Sequence, residues 1–416
     1  MRSRPTARRR GALEPLRYRQ FTACWITGTL AHSANWMQTI AVPFIVFEIT
    51  GSATWLGAAA LASQAPALIA APLAGVLSDR YPRQWILLLT NLVKASATFG
   101  LYALWWFDEL TPWRILGLLL VSGFGASMNI TCWQSFVAQI VPPRSLPAAI
   151  RLNSMQFNLS RALGPALAGW ILAQYGAGTA FLINGCAYFP FMIVVMLVRP
   201  RAVEFSAPLG ALRELRVGIQ YVLDHRPLWV AVVTVAVVSV FGHGLQPLAA
   251  GLASDVFGVG EQGFGWLMSS VGLASVLSSI LIVLVADRVT RSGWAATGLF
   301  IYALGVMTIS ATDIYAVGLA GYAITGLAHV MVNISCSTAI QVKVSDALRG
   351  RVVSIYMTSV IALIPVGAQV GGLVGDWLGL RTVVFGYGLG LLAYAFVARR
   401  GLDRLRALDG DRVLAR

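Results

Sequence analysis

Charge is what this sequence lacks most. Only 12% of its 416 residues are Asp, Glu, Lys or Arg, about half the roughly 25% of an ordinary soluble domain. With 57% hydrophobic residues and a mean hydropathy of +0.72, the chain has too little polar sequence to cover a globular core, so lipid is the solvent for most of it. Lysine is nearly absent: Lys94 and Lys343 both follow valine, which excludes the Gly-Lys pair of a Walker A phosphate loop. The four cysteines (Cys24, Cys132, Cys186, Cys336) lie in apolar stretches with no Cys-x-x-Cys pair. They are expected to be small core residues, not a disulfide framework or a zinc site. His-Glu-x-x-His and Gly-x-Ser-x-Gly are missing too, which argues against a membrane-embedded enzyme. No cofactor and no metal is expected.

What is present is a succession of apolar runs of the length a bilayer demands, about 20 residues each. Twelve are expected, at roughly 21–47, 53–77, 85–107, 113–139, 150–173, 178–198, 228–250, 262–286, 294–312, 314–340, 352–375 and 381–398. All but four of the 31 Lys and Arg residues then fall in the tails or in alternate connections on one side. The exceptions are Arg114 and Arg381 on the other side, and Lys94 and Arg161 inside spans. The acids show no such bias. An asymmetry of cations alone is the positive-inside rule, so both termini are expected in the cytoplasm of a multi-pass inner-membrane protein. The same asymmetry explains the net charge of +14 without nucleic acid as a partner. Arg8-Arg9-Arg10 precedes an apolar stretch that contains His32, Asn35 and Gln38 and has no convincing cleavage site, so 1–20 is read as a basic cytoplasmic tail.

The longest connection, 199–227, divides the chain into two sets of six spans, 21–198 and 228–398, with a second tail at 399–416. Within it, Leu212, Leu215, Ile219, Val222 and Leu223 recur at helical spacing opposite Arg213, Glu214, Arg216 and Gln220. That is an amphipathic helix, either lying on the cytoplasmic interface or serving as a partly solvated linker. The two halves echo each other. Asn129-Ile-Thr-Cys132 in span four returns as Asn333-Ile-Ser-Cys336 in span ten, and Gly164-Pro165-Ala-Leu-Ala-Gly169 in span five as Gly367-Ala-Gln-Val-Gly-Gly372 in span eleven. Asp79-Arg80 after span two returns as Asp287-Arg288 after span eight. Echoes at offsets of 203 to 208 in corresponding spans point to parallel repeats, a layout of secondary transporters.

Gly75-Val-Leu77-Ser-Asp79-Arg80-Tyr-Pro82-Arg83-Gln84 resembles the loop motif of the major facilitator superfamily, Gly-x-Leu-x-Asp-Arg-x-Gly-Arg-Arg/Lys. It departs from that motif at Pro82 and Gln84. The stretch from Leu152 to Gly169 and the phrase from Glu214 to Pro227 are similar to the transmembrane secretion effector branch. The resemblance implies an all-α membrane protein of twelve transmembrane helices in two pseudo-symmetric six-helix bundles that rock around a central cavity. It implies a secondary active exporter of a natural product, siderophore or drug, monomeric and driven by protons as an antiporter. The alternative is an importer or facilitator of a small anionic metabolite.

Gating is assigned to Gly75, Asp79, Arg80, Arg83, Asp287 and Arg288. In the family such a network latches the outward-facing state; read on their own, the arginines simply hold their loops inside. Lys94 and Arg161 sit near mid-bilayer, where a charge costs at least about 2.5–3.5 kcal/mol unless it faces protein or water. They point to an anionic or aromatic substrate, or else pair with helix carbonyls and amide side chains. Asn35 and Gln38, with Asn129, Trp133 and Gln134, His243 and Gln246, and His329 and Asn333 place polar groups in spans one, four, seven and ten. Each either bridges helices or lines a path. No acid lies at mid-bilayer; Glu48 and Asp376 fall near the outer ends of their spans. Gly164-Pro165 is expected to kink span five.

Overall fold

The computed structural model describes residues 13–78, 80–201, 219–285, 289–344, 346–400 and 409. Within membrane an isolated backbone must satisfy its own hydrogen bonds, and the described chain does so entirely with helices. Ten stretches have the length and apolarity to cross a bilayer. One of them, Pro143–Leu197, has 55 residues and breaks at Gly176 (φ 75°, ψ 173°), a backbone that favours glycine. It supplies spans five and six. Span one, Arg19–Thr50, has 32 residues, about 48 Å of helix; His32, Ser33, Asn35 and Gln38 make it less apolar than the rest. The crossings therefore number twelve. The others are Ala53–Ser78 (two), Arg83–Trp106 (three), Pro112–Ile140 (four), Arg226–Val256 (seven), Glu261–Val285 (eight), Arg291–Ser310 (nine), Tyr315–Lys343 (ten), Asp346–Leu378 (eleven) and Leu380–Arg400 (twelve). Most of the amphipathic segment expected in the connection, 209–218, lies outside the described residues.

Packing repeats across the halves. Span one packs on the element of spans five and six, three on four, three on six, and two on four. In the other half seven packs on eleven, nine on ten, nine on twelve, and eight on ten. Each pair maps onto its counterpart by adding six. The two principal contacts between halves, two with eleven and five with eight, are also related in this way. Two six-helix bundles joined around a pseudo-two-fold axis follow directly.

The halves touch at one end. A methyl group at Gly57 would lie 2.5 Å from the Cα of Gln369, and one at Gly169 would lie 2.8 Å from the Cα of Gly265. Both contacts belong to the far side, away from the chain ends. Along the face of span two that meets span eleven, Ala53, Gly57 and Ala60 are buried, Gln64 is half-buried, and Leu68 is 50% exposed. At Gly75, on the tail side, a methyl would meet nothing within 4 Å. The bundles are thus closed on the far side and splayed on the tail side. Span five keeps helical backbone angles through Gly164-Pro165 and departs from them at Gly176. A methyl at Gly164 would overlap Trp36 of span one, so this glycine lets helices approach.

Candidate functional site

The polar groups of the N-terminal half are stitched between its helices. Gln38 Oε1 accepts from Thr98 Oγ1 at 3.0 Å and from Asn184 Nδ2 at 2.9 Å, joining spans one, three and six. Asn35 Oδ1 accepts from the Tyr188 hydroxyl at 3.1 Å. Asn129 Nδ2 donates to Thr90 Oγ1 at 3.1 Å. These bonds satisfy groups that lipid would leave bare. Among them lies a small cavity of about 20 Å³, lined by residues that include His32, Asn91, Lys94, Asn129, Trp133 and Gln156. Trp133 packs edge-on against Phe191, with ring centroids 5.5 Å apart. Gln134, one residue and about 100° further round the helix, is exposed and lines neither cavity.

Lys94 is 8% exposed. Its ammonium lies 4.4 Å from the centre of the Tyr188 ring, a cation–π contact, and His32 is within its electrostatic reach. Among the described residues it makes no ion pair; the ion pairs there are Arg114–Glu109 and Arg381–Asp313, in connections on the far side. Lys94 is therefore a cation without a carboxylate, beside a polar cavity.

Arg161 is half-buried and belongs to the other polar group. It lies within electrostatic range of His243, His329 and Tyr302 in the C-terminal half. His243 and His329 face each other with ring centroids 4.2 Å apart. Both nitrogens of His243, Nδ1 of His329 and the Ser239 hydroxyl are buried without a hydrogen-bond partner in the protein. With Asn333, whose Oδ1 accepts from the Tyr356 hydroxyl at 3.0 Å, these side chains border a cavity of about 10 Å³, room for one water. Span seven reaches this site through a π-turn, Ser239–His243, a device often found at functional positions. Sequence reasoning missed this turn. A methyl at the neighbouring Gly242 would lie 2.5 Å from Cζ of Tyr302, so the turn seats that helix against span nine. Gln246 is half-buried just beyond it, and the helix runs on through Pro247.

The expected gating residues are spread differently. Asp79, Asp287 and Arg288 lie outside the described residues. Arg80 is exposed. Arg83 Nη1 donates to the Ser135 carbonyl of span four at 3.3 Å, a bond within one half and not between halves.

The model of the family described as transmembrane secretion effector matches residues 10–413. The chain is 23% identical to the uncharacterized MFS-type transporter YfiS of Bacillus subtilis (strain 168), over 85% of this chain and 86% of that protein. It is 21% identical to the staphyloferrin A transporter of Staphylococcus aureus (strain NCTC 8325 / PS 47), covering 83% and 87%. With the multidrug efflux pump Tap of Mycobacterium tuberculosis (strain ATCC 25618 / H37Rv) it shares 22% identity over 91% and 92%. Among solved structures, the fold matches a bacterial homolog of the human lysosomal transporter Spinster in its inward-facing, unoccupied conformation. That match has a TM-score of 0.74 at 16% identity, over 94% of this chain and 98% of that one. It also matches the nucleoside transporter NupG, with a TM-score of 0.73 at 13% identity, over 92% and 98%. Two matching bundles, a splayed tail side and a full-length family match have one reading: the chain is a transporter, not an enzyme, and belongs to the transmembrane secretion effector family of the major facilitator superfamily.

Proposed function

We propose that this protein exports a small anionic or aromatic molecule across the cytoplasmic membrane by alternating access, as a monomer and with protons as the coupling ion. One observation carries the substrate class. The charged side chains that face the polar interior, Lys94 and Arg161, are both cations, and neither is neutralised by a carboxylate among the described residues. A buried charge without a partner is costly, and an anionic cargo supplies the partner. With both termini in the cytoplasm, as the arginine distribution indicates, the tail-side opening is the loading side of an exporter. The efflux relatives support the direction, and the staphyloferrin A transporter supports a siderophore or other natural product as the cargo.

Comparative metabolomics tests this reading. Deleting the gene in its source organism should trap one compound inside cells and remove it from the medium. Depletion inside, with the compound left in the medium, would instead identify an importer of an anionic metabolite and overturn export. The loop motif gives a second expected result. In our reading Asp79 closes the tail side in the outward-facing state. Asp79→Asn should then abolish net flux at normal expression, and full flux would remove Asp79 from the gate.

A further inference from the structure

On the far side, an exposed carboxylate, Asp376, stands near the end of span eleven, and a half-buried serine, Ser52, stands just before the start of span two. The two belong to opposite bundles. Asp376 Oδ2 accepts from the Ser52 hydroxyl at 2.6 Å and from the Thr54 amide at 3.1 Å, while Oδ1 accepts from the Ala53 amide at 2.6 Å. The first amides of any helix lack partners within it. A side chain of the same helix usually serves them, but Ser52 makes no such bond here. The cap of span two comes in trans, from the other half of the molecule.

The surroundings make this a clasp and not a casual contact. One turn before Asp376 in span eleven, a methyl group at Gly372 would overlap the Ala53 carbonyl, and at the adjacent Gly375 it would come within 3.6 Å of Ala53 Cβ. The carboxylate therefore sits at the rim of a close backbone seam that continues to Gly57 and Gln369. The helix N-terminus favours a negative charge at this point. The pseudo-symmetric seam between spans five and eight has no counterpart: by the offsets of the repeat, Asp376 corresponds to Ala173 and Ser52 to Gly260. The seam between two and eleven carries an acid; the other has an alanine and a glycine at the corresponding positions.

We propose that Asp376 is the clasp that holds the far side shut, and that opening to the far side requires its carboxylate to leave the first turn of span two. The idea rests on the alternating-access reading only in requiring that the far side open at all. The clasp adds to the known motif a conformational control at the opposite membrane face, and it makes the open–closed balance depend on one side chain.

The test uses the full-length chain with its four cysteines replaced by alanine and one new thiol, Ala60→Cys. Ala60 is 7% exposed and lies two turns below Ala53 on the same face. Intact cells are treated with a membrane-impermeant maleimide, and the labelling rate reports how often the far side opens. Asp376→Ala should raise the rate about fivefold, the factor that about 1 kcal/mol gives. Asp376→Asn should give a smaller increase than Asp376→Ala, because the amide keeps one acceptor oxygen and loses the charge and the second acceptor. Ser52→Ala, which keeps both amide bonds, should give a smaller increase. Each variant is first checked for normal yield and a single size-exclusion peak, and Ser52→Ala carries the test if Asp376→Ala fails to fold. Equal, measurable rates in all variants would overturn the clasp and leave alternating access standing. No labelling in any variant, with full labelling after unfolding in detergent, would overturn both.

Discussion

Replacing Lys94 with glutamine is expected to lower transport at least about tenfold, the loss of one charge-assisted contact of about 1.5–3 kcal/mol, without lowering thermal stability. The sign of the stability change decides between two roles. A cation near mid-bilayer costs about 2.5–3.5 kcal/mol, and a desolvated cation–π contact with Tyr188 returns about 2 kcal/mol. Lys94 makes no ion pair among the described residues, so the balance is unfavourable or near zero. Glutamine keeps the length and hydrogen-bonding capacity and removes the charge. If Lys94 served structure, its loss would lower the thermal midpoint; if it waits for an anion, the midpoint stays or rises while flux falls. Lys94→Arg should retain part of the flux. The measurement is flux of the cargo identified by metabolomics, beside a melting curve of the purified protein. Normal flux in Lys94→Gln and in Arg161→Gln would end the anion-site reading. Arg161→Gln should differ in kind, because Arg161 lies within electrostatic range of His243 and His329 in the other half; it should alter flux without disturbing the amide network around Gln38.

Much of this architecture could be read from the chain because lipid leaves few options. An apolar run of about 20 residues has to be a helix, so the spans, the division into halves and the break between 173 and 178 are visible without coordinates. The echo of Asn129 in Asn333 does not extend to their bonds: Asn129 donates to Thr90 of span three, whereas Asn333 accepts from Tyr356 of span eleven, spans that the repeat does not relate. Long-range or rotational features were harder to see. Gln134 has the polarity of a path residue, but its exposure, unlike the burial of Trp133, has no mark in the sequence. The π-turn at Ser239–His243 leaves no compositional mark; it arises from packing against Tyr302. Proline chemistry points to a kink at Gly164-Pro165, but the packing role of the glycine, against Trp36, has no local signature. The partner of Asp376 is more than three hundred residues away in the chain, beyond any local pattern.

The largest effect on stability is expected at two glycines that the repeat relates. In span four, a methyl group at Gly123 would overlap the Ser63 carbonyl of span two; in span ten, one at Gly326 would overlap the Val271 carbonyl of span eight. The offsets, 203 between the glycines and 208 between the carbonyls, are those of the sequence echoes, so this is one contact made twice. Close backbone approach through small residues holds membrane helices together where the hydrophobic effect cannot. The carbonyls are backbone atoms and cannot swing away, so a side chain at either glycine must push two helices apart. Gly123→Ala and Gly326→Ala should each cost about 1–3 kcal/mol, the usual range for overpacking. Gly123→Leu and Gly326→Leu should leave little folded protein. Gly75→Ala, which meets open space, should leave the melting curve unchanged. Thermal unfolding of the purified variants checks all of these, and unchanged midpoints at Gly123 and Gly326 would show that the seams are loose. The double alanine variant carries a further consequence. The two seams share no residue and lie in different bundles, so their costs should add to within about 0.5 kcal/mol. A larger deviation would mean that strain in one bundle reaches the other through the far-side contacts, where Gly57 meets Gln369 and Asp376 caps span two.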